Sequence, residues 1–250
     1  MRWAALRRGE AAARPTIPSP NIWNWPEVYE RENQAQDVDG AIWDALHTAT
    51  PWDGLDVLDV GCGDGFHLPM FARSAASVVG VEPYAPLVAR AHRRLADLPR
   101  VRVLEAGAAA LPLPDASVDL VHARTAYFFG PGCEPGLVEA DRVLRPGGAI
   151  AIVDLDATVA PYGTWMCAEL PHYDPVKAER FFTGQGFSTR RIATLWSFPD
   201  RATCEAVLRI EFSTAAAERA IASVPGLTIP VGYRLHVRVA SRRYPAGGSG

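Results

Sequence analysis

Cysteine is scarce in this chain of 250 residues: there are four, at Cys62, Cys133, Cys167 and Cys204. No two of them form a CxxC pair, so zinc ribbons, disulfide frameworks and the CxxxCxxC cluster motif of radical enzymes lack support. No apolar run reaches the roughly 20 residues that a membrane-spanning helix needs. The arginine-bearing segment 1–20 lacks the apolar stretch of a secretory signal and reads as a mobile tail. An excess of positive charge is also missing. The formal net charge is −3, which argues against a strong binder of nucleic-acid phosphates. No internal repeat and no second segment with its own core stand out. What is present, 48% hydrophobic and 21% charged residues, suffices for one globular domain with a sizeable core. A reduced, cytoplasmic setting is the expectation.

The chain is organised around residues 57–65, VLDVGCGDG. An apolar run that ends in Gly61, Gly63 and Gly65 reads as a buried strand leaving a sheet through a tight loop. Glycine lets the loop take φ > 0 and lets a ligand approach the backbone with no Cβ in the way. The next residues, FHLPMFARSAA, are expected to carry a helix. Strand, loop and helix make a nucleotide-binding corner at the carboxyl end of a parallel sheet. The spacing is D-x-G-x-G-x-G, whereas a dinucleotide fingerprint would place its third glycine where Phe66 stands. Asp59 repels a pyrophosphate and suits a ligand with a cationic end. A second apolar run, 78–81, ends in Glu82, twenty-three residues after Asp59, where such a unit delivers a carboxylate to a ribose diol. S-adenosylmethionine, with its ammonium, sulfonium and ribose and no phosphate, fits this corner.

VLDVGCGDG, then VVGVEP, ALPLPDASVDLVHA and EADRVLRPGGAIAIVD follow one another across residues 55–154. In that order they resemble the class I S-adenosylmethionine-dependent methyltransferases of the small-molecule type. The resemblance implies an α/β, three-layer α-β-α Rossmann-like fold. Its seven-stranded sheet is mostly parallel with an antiparallel last strand, and N-terminal and late-inserted helices act as a lid. Residues 21–244 would form one domain: 21–50 lid helices, 55–155 the cofactor core, 156–230 acceptor-side loops and helices, and 231–242 the last strand, with 245–250 a loose end. The cofactor would be S-adenosyl-L-methionine, the product S-adenosyl-L-homocysteine, and the partner a small-molecule acceptor. No nucleic acid or membrane is expected, and the chain would be a monomer or homodimer. Asp59, Gly61, Cys62, Gly63, Gly65, Glu82, Pro83, Gly107, Ala108, Arg124 and the lid residue Tyr29 are the candidate cofactor contacts. Gly107 departs from the family pattern, since many relatives carry an aspartate there for the adenine amino group. Adenine recognition is then left to backbone groups near Gly107 and Ala108, or to another side chain.

Local patterns fill in the elements. Pro26 opens a helix to about Gln36, and Asp39 is placed to cap a second. Residues 85–97 form a helix with arginines and His92 on a solvated outer face. Strands are expected at 101–105, 118–123, 149–155 and 188–197, with Arg145-Pro-Gly-Gly a turn before the third of these. Helices are expected at 134–144, at 175–183 with Asp174 as cap, at 201–212 and at 215–223. The last strand, 231–242, alternates as a half-exposed one should.

The acceptor side is less legible. The segment TAYFFGPG contains no NPPY or DPPY motif, which in this family counts against adenine or glutamine N-methylation. Tyr127, Phe128 and Phe129 either wall a pocket and support a sulfonium or belong to the core. Tyr127 is a candidate catalytic residue, and His172, in the loop CAELPHYDP, a candidate base. His122 reads as a strand residue with a satisfied ring. Asp154 and Asp156 lack an evident third ligand, so a pocket wall or a helix cap is a plainer reading than a metal. Trp23, Trp25, Tyr29 and Asn33 either close over the cofactor or pack the segment onto the sheet, and Trp196, Phe198 and Phe212 suggest an acceptor lid. The reaction implied by the resemblance is direct, in-line transfer. Two alternatives stay open: a cofactor-binding protein that transfers no methyl group, as a scaffold or a non-methylating catalyst, and a nucleic-acid methyltransferase. The second is supported only by the arginines of 2–14 and by Arg90, Arg93 and Arg94.

Overall fold

Apolar runs covered on both faces become the interior strands of a parallel sheet. In the computed structural model, which describes residues 19–126 and 130–240, these are β1 (Asp56–Val60), β2 (Ser77–Glu82), β3 (Val101–Glu105), β4 (Val118–Arg124) and β5 (Leu144–Leu155). An antiparallel pair, β6 (Ser188–Ser197) and β7 (Thr228–Val239), completes a seven-stranded sheet of order β3-β2-β1-β4-β5-β7-β6. β7 runs antiparallel to both of its neighbours, as the resemblance implied. The strand order reverses between β1 and β4, which opens a crevice at the carboxyl ends of these strands. The 1–18 part of the tail, the candidate Tyr127 with Phe128 and Phe129, and the 245–250 end lie outside the described residues.

Alternation along the strands divides the core in two. Val57, Leu120 and Ala151 point to one face, which is covered by α3 (Ala41–Ala49), α4 (Leu68–Ala72), α5 (Ala85–Arg94), α7 (Tyr162–Glu169), α9 (Arg201–Glu211) and α10 (Thr214–Ser223). Leu58, Val121 and Ile152 point to the other, under α6 (Glu134–Val143) and α8 (Pro175–Gly184). α1 (Pro20–Asn24) and α2 (Pro26–Ala35) precede the sheet, and α2 packs on α9. Asp174 caps α8 as its position predicts, accepting from Val176 N at 3.0 Å and Lys177 N at 3.1 Å.

Several expectations give way. Asp37, not Asp39, caps α3: its carboxylate takes Ile42 N at 2.9 and 3.0 Å, because Gly40 at φ +75° turns the helix start back over it. α4 has only five residues, since Ser74 O and Ala76 N are claimed by Gly54 N and Leu55 O beside β1. Arg145-Pro-Gly-Gly is an irregular opening of β5 rather than a turn before it. The register jumps from Val118–Leu144 to Leu120–Ala149 across this segment. CAE of the expected loop CAELPHYDP ends helix α7 instead. β7 is interior rather than half-exposed, because β6 pairs outside it and takes the edge, and Arg234 and His236 are fully buried. His92, on the outer side of α5, hydrogen-bonds Val103 O at 2.9 Å.

Candidate active site

The glycine loop leaves β1 with three left-handed residues in alternation: Gly61 at φ +74°, Gly63 at +57° and Gly65 at +80°. Space adds to the constraint of φ, most firmly at Gly61, where the neighbour is a Cβ rather than the movable end of a long side chain. A Cβ would come 2.8 Å from Ala126 Cβ at Gly61, from Ile22 Cδ1 at Gly63 and from Leu95 Cδ1 at Gly65. Gly61 N and Cys62 N both donate to Val81 O, at 2.8 and 3.0 Å, which ties the loop to the end of β2. Glu82 follows at once. Its Oε2 accepts from Gly63 N at 3.2 Å and its Oε1 from Tyr84 N at 3.0 Å. Burial raises its pKa, and the two backbone donors oppose that rise. Each carboxylate oxygen keeps a second lone pair for a diol.

Asp59 is buried beside the loop, its Oδ1 2.6 Å from Nδ1 of His122 across the β1–β4 pair. His122 has the satisfied ring expected of it and packs against Phe71 at 5.0 Å. A third buried acid, Asp64, passed unnoticed in the sequence. It accepts from Arg94 Nη2 at 2.9 Å, and Arg94 Nη1 reaches Glu30 of α2 at 3.2 Å. Arg90 similarly meets Glu27 at 2.8 Å, so these α5 arginines fasten the lid rather than coat a solvated face. Burial and then the charges of Asp59, Glu82 and Asp64 push the Cys62 thiol well up, which keeps it protonated. A corner with three converging acids disfavours a pyrophosphate and suits a cationic amino-acid end. The residues present therefore fit S-adenosylmethionine in charge, and the glycines leave its backbone approach open.

The remaining candidates divide. Pro83 is half-buried next to Glu82, and Trp23 of α1 stacks on Tyr84 with ring centroids 4.1 Å apart, so the lid closes over this turn. Gly107 and Ala108 lie in the loop after β3, held to the corner by Ala106 N on Glu82 O at 3.1 Å. Tyr29 reaches the Thr125 hydroxyl at the end of β4. Thr125 itself sits at φ +53°, a strained conformation for a β-branched residue. Arg124 turns to the lid, donating to Gln36 Oε1 at 2.8 Å, with its guanidinium 5.4 Å from the Tyr233 ring. Asn33 is buried on the inner side of α2. His172 is exposed in the turn between α7 and α8, and no hydrogen bond joins it to the corner's described residues. Asp156 caps its own turn, accepting from Thr158 N at 3.0 Å, and pairs with Arg191 at 3.1 Å. Asp154 is fully buried, and both of its oxygens lack a hydrogen-bond partner. Among the described residues no group of three metal-ligating side chains forms. Two open surface grooves, one at Arg31, Gln34 and Phe198 and one at Trp43 and His47, are lined by none of the corner's residues.

A family model described as a methyltransferase domain matches residues 58–152, from β1 through β5. By that match, those residues form a methyltransferase domain. An uncharacterized methyltransferase of Mycobacteroides abscessus is 35% identical over 138 residues, 52% of this chain and 51% of that protein. The methyltransferase domain also resembles solved structures. The YcgJ protein of Bacillus subtilis superposes with a TM-score of 0.59 at 18% identity, over 81% of this chain and 99% of that one. Geranyl diphosphate C-methyltransferase of Streptomyces coelicolor, crystallised with Mg2+, geranyl diphosphate and S-adenosyl-L-homocysteine, gives 0.54 at 18% identity, over 82% and 78%. The chain spans between 31 and 62% of the length of the first curated relatives it matches. No helix among the described residues is long and apolar enough to cross a membrane.

Proposed function

We propose that the chain transfers a methyl group from S-adenosylmethionine to a small-molecule acceptor. The observation that carries this reading is Glu82, whose carboxylate bridges Gly63 N of the glycine loop and Tyr84 N under the lid. Glu82 is thereby fixed where a ribose diol would lie along the loop, and Asp59 and Asp64 supply negative charge to an amino-acid end. The bound cofactor supplies an activated methyl on a sulfonium. The protein's own tasks are then to align the acceptor with it and to keep water out. Alignment of this kind lowers a barrier by several kcal/mol without a dedicated acid or base. Trp23 on Tyr84 and Ile22 on Gly63 provide the closure. A small acceptor accords with the acidic net charge of −3 and with the named substrate of the Streptomyces neighbour.

Calorimetric titration with S-adenosylhomocysteine tests the cofactor half, and product formation over a panel of small acceptors tests the transfer half. Glu82→Ala should weaken S-adenosylhomocysteine by roughly 10- to 150-fold, the equivalent of a charge-assisted hydrogen bond of about 1.5–3 kcal/mol. Unchanged affinity in Glu82→Ala, or preferential binding of a pyrophosphate dinucleotide, would overturn the assignment.

A further inference from the structure

One guanidinium spans the glycine loop and the lid. Arg94, in the last turn of α5, donates from Nε to Asp64 O at 3.1 Å and from Nη2 to Asp64 Oδ2 at 2.9 Å. The same Nη2 donates to Glu30 Oε2 of α2, and Nη1 donates to Glu30 Oε1 at 3.2 Å. All three nitrogens are thus engaged, one edge on the loop and the next on the lid. Asp64 stands between Gly63 and Gly65, and the Arg94 guanidinium lies 5.5 Å from the Phe66 ring. A second pair runs beside this one, Arg90 to Glu27 at 2.8 Å, but the Glu27 side chain is 70% exposed. Water and salt reduce such a rim pair to little. The Arg94, Glu30 and Asp64 side chains are 25%, 28% and 4% exposed, so the attachment rests on them.

What this attachment holds down is the cover of the loop. α1 ends and α2 begins at Trp25, so the two helices are joined through a single residue. Ile22 of α1 lies against Gly63, and Trp23 stacks on Tyr84, two residues past Glu82. A molecule lying along Gly63 and Glu82 is therefore beneath α1. The far end of α2 is fixed to the sheet, with Gln36 Oε1 accepting from Arg124 at 2.8 Å and Asp37 capping α3. Asn21 of α1 donates to Glu211 of α9, a bond that touches neither the loop nor α5. Among the described residues every hydrogen bond from α2 to α5 belongs to the two ion pairs. Letting go strands no charge. Arg94 keeps Asp64 and a favourable place at the carboxyl end of its helix, while Glu30 turns to water.

We propose that Arg94 is a positioning residue that sets how long the corner keeps its ligand: Glu30 must leave it before α1 lifts from Gly63 and Tyr84. Calling that ligand S-adenosylhomocysteine rests on the methyl-transfer reading; the latch between lid and loop rests on the ion pairs alone. Because one guanidinium holds both Asp64 and Glu30, a ligand that settles the loop also steadies α2, and the coupling runs equally in reverse. The release step then depends on ionic strength, since salt screens a partly exposed pair. A lysine at this place keeps the charge but lacks the rigid fork that meets both acids at once.

Two measurements on the full chain separate the latch from the ligand. In the free protein, amide hydrogen exchange over residues 20–35 reads opening of the lid directly. Glu30→Gln keeps the Arg94–Asp64 pair and should speed exchange there about tenfold, and raising the salt from about 0.05 to about 0.5 M should speed it several-fold in wild type. With S-adenosylhomocysteine bound, stopped-flow tryptophan fluorescence reads its release. Release should be about tenfold faster in both Glu30→Gln and Arg94→Gln, and nearly independent of salt in each, with Arg94→Lys recovering part of the difference. An Arg94 that merely supports the loop acts through Asp64 alone. Then Arg94→Gln speeds release and Glu30→Gln does not, and that result overturns the proposal, as does lid exchange unchanged in Glu30→Gln. Failure of S-adenosylhomocysteine to bind the wild type would sink the methyl-transfer reading, while the exchange measurement still decides the latch.

Discussion

Asp59 is already engaged by a histidine before any ligand arrives, and that changes what a substitution there reports. Asp59→Ala strands the His122 ring, which is 1% exposed, without its partner at 2.6 Å. A buried donor left unsatisfied costs about 1–3 kcal/mol, so urea unfolding should show a loss of that size on top of any loss of cofactor. Asp59→Asn retains an acceptor oxygen for the ring and removes only the charge. We expect it to unfold close to wild type while S-adenosylhomocysteine affinity falls, as read by calorimetry. If both variants lose stability equally, the charge is holding the strand pair together and the cofactor assignment of Asp59 loses its support. Cys62, in the middle of the loop, is a packing residue: burial first, and then the three acids around it, keep its thiol protonated.

At the scale of elements, the helix caps decide between two readings of one segment. Asp37 holds Ile42 N through both oxygens, while Asp39 lies outside the cap. Asp37→Ala should lower stability by about 1 kcal/mol and Asp39→Ala by far less, measured as thermal midpoints. The parallel strands were legible because each is an apolar run bounded by glycine or a charged residue, and Glu82 was legible because spacing along two strands fixes it. β7 was not, since Arg234 and His236 alternate like solvated residues and only the strand's place between β5 and β6 buries them. The helix α7 was hidden in a stretch that ends with Pro171, His172 and Tyr173, residues typical of loops. Glu32 and Glu211 each look like an ordinary polar position on an amphipathic helix. No local pattern tells that α2 and α9 pack on each other, so the burial of these two acids belongs to tertiary structure alone.

At the scale of the whole molecule, buried acids and buried histidines set opposing slopes of stability against pH. Asp154 sits opposite Arg234 in the β5–β7 register, near Cys133 and Tyr173, and burial raises its carboxyl from 3.8 to about 7 against the pull of Arg234. A folded pKa above the unfolded one means that the native state holds more protons, so stability falls as pH climbs from about 4 to about 7. Glu32 and Glu211 are raised as well and act in the same sense. His236 runs the other way. Burial lowers it from 6.5 to about 3, and His67 is also lowered, so their contribution is lost as pH drops below 6.5. Above 6.5 the histidines fall silent and the raised acids alone govern, so stability declines from there until the last of these carboxyls has ionised. The step belonging to Asp154 is isolated by Asp154→Asn. The variant should match wild type near pH 4 and exceed it by up to about 4 kcal/mol at pH 8, the value of a shift from 3.8 to about 7. Urea midpoints at pH 5 and pH 8 measure it. A difference between the two proteins that does not grow with pH would mean that Asp154 is solvated or paired in solution, and that the slope comes from the lid acids instead.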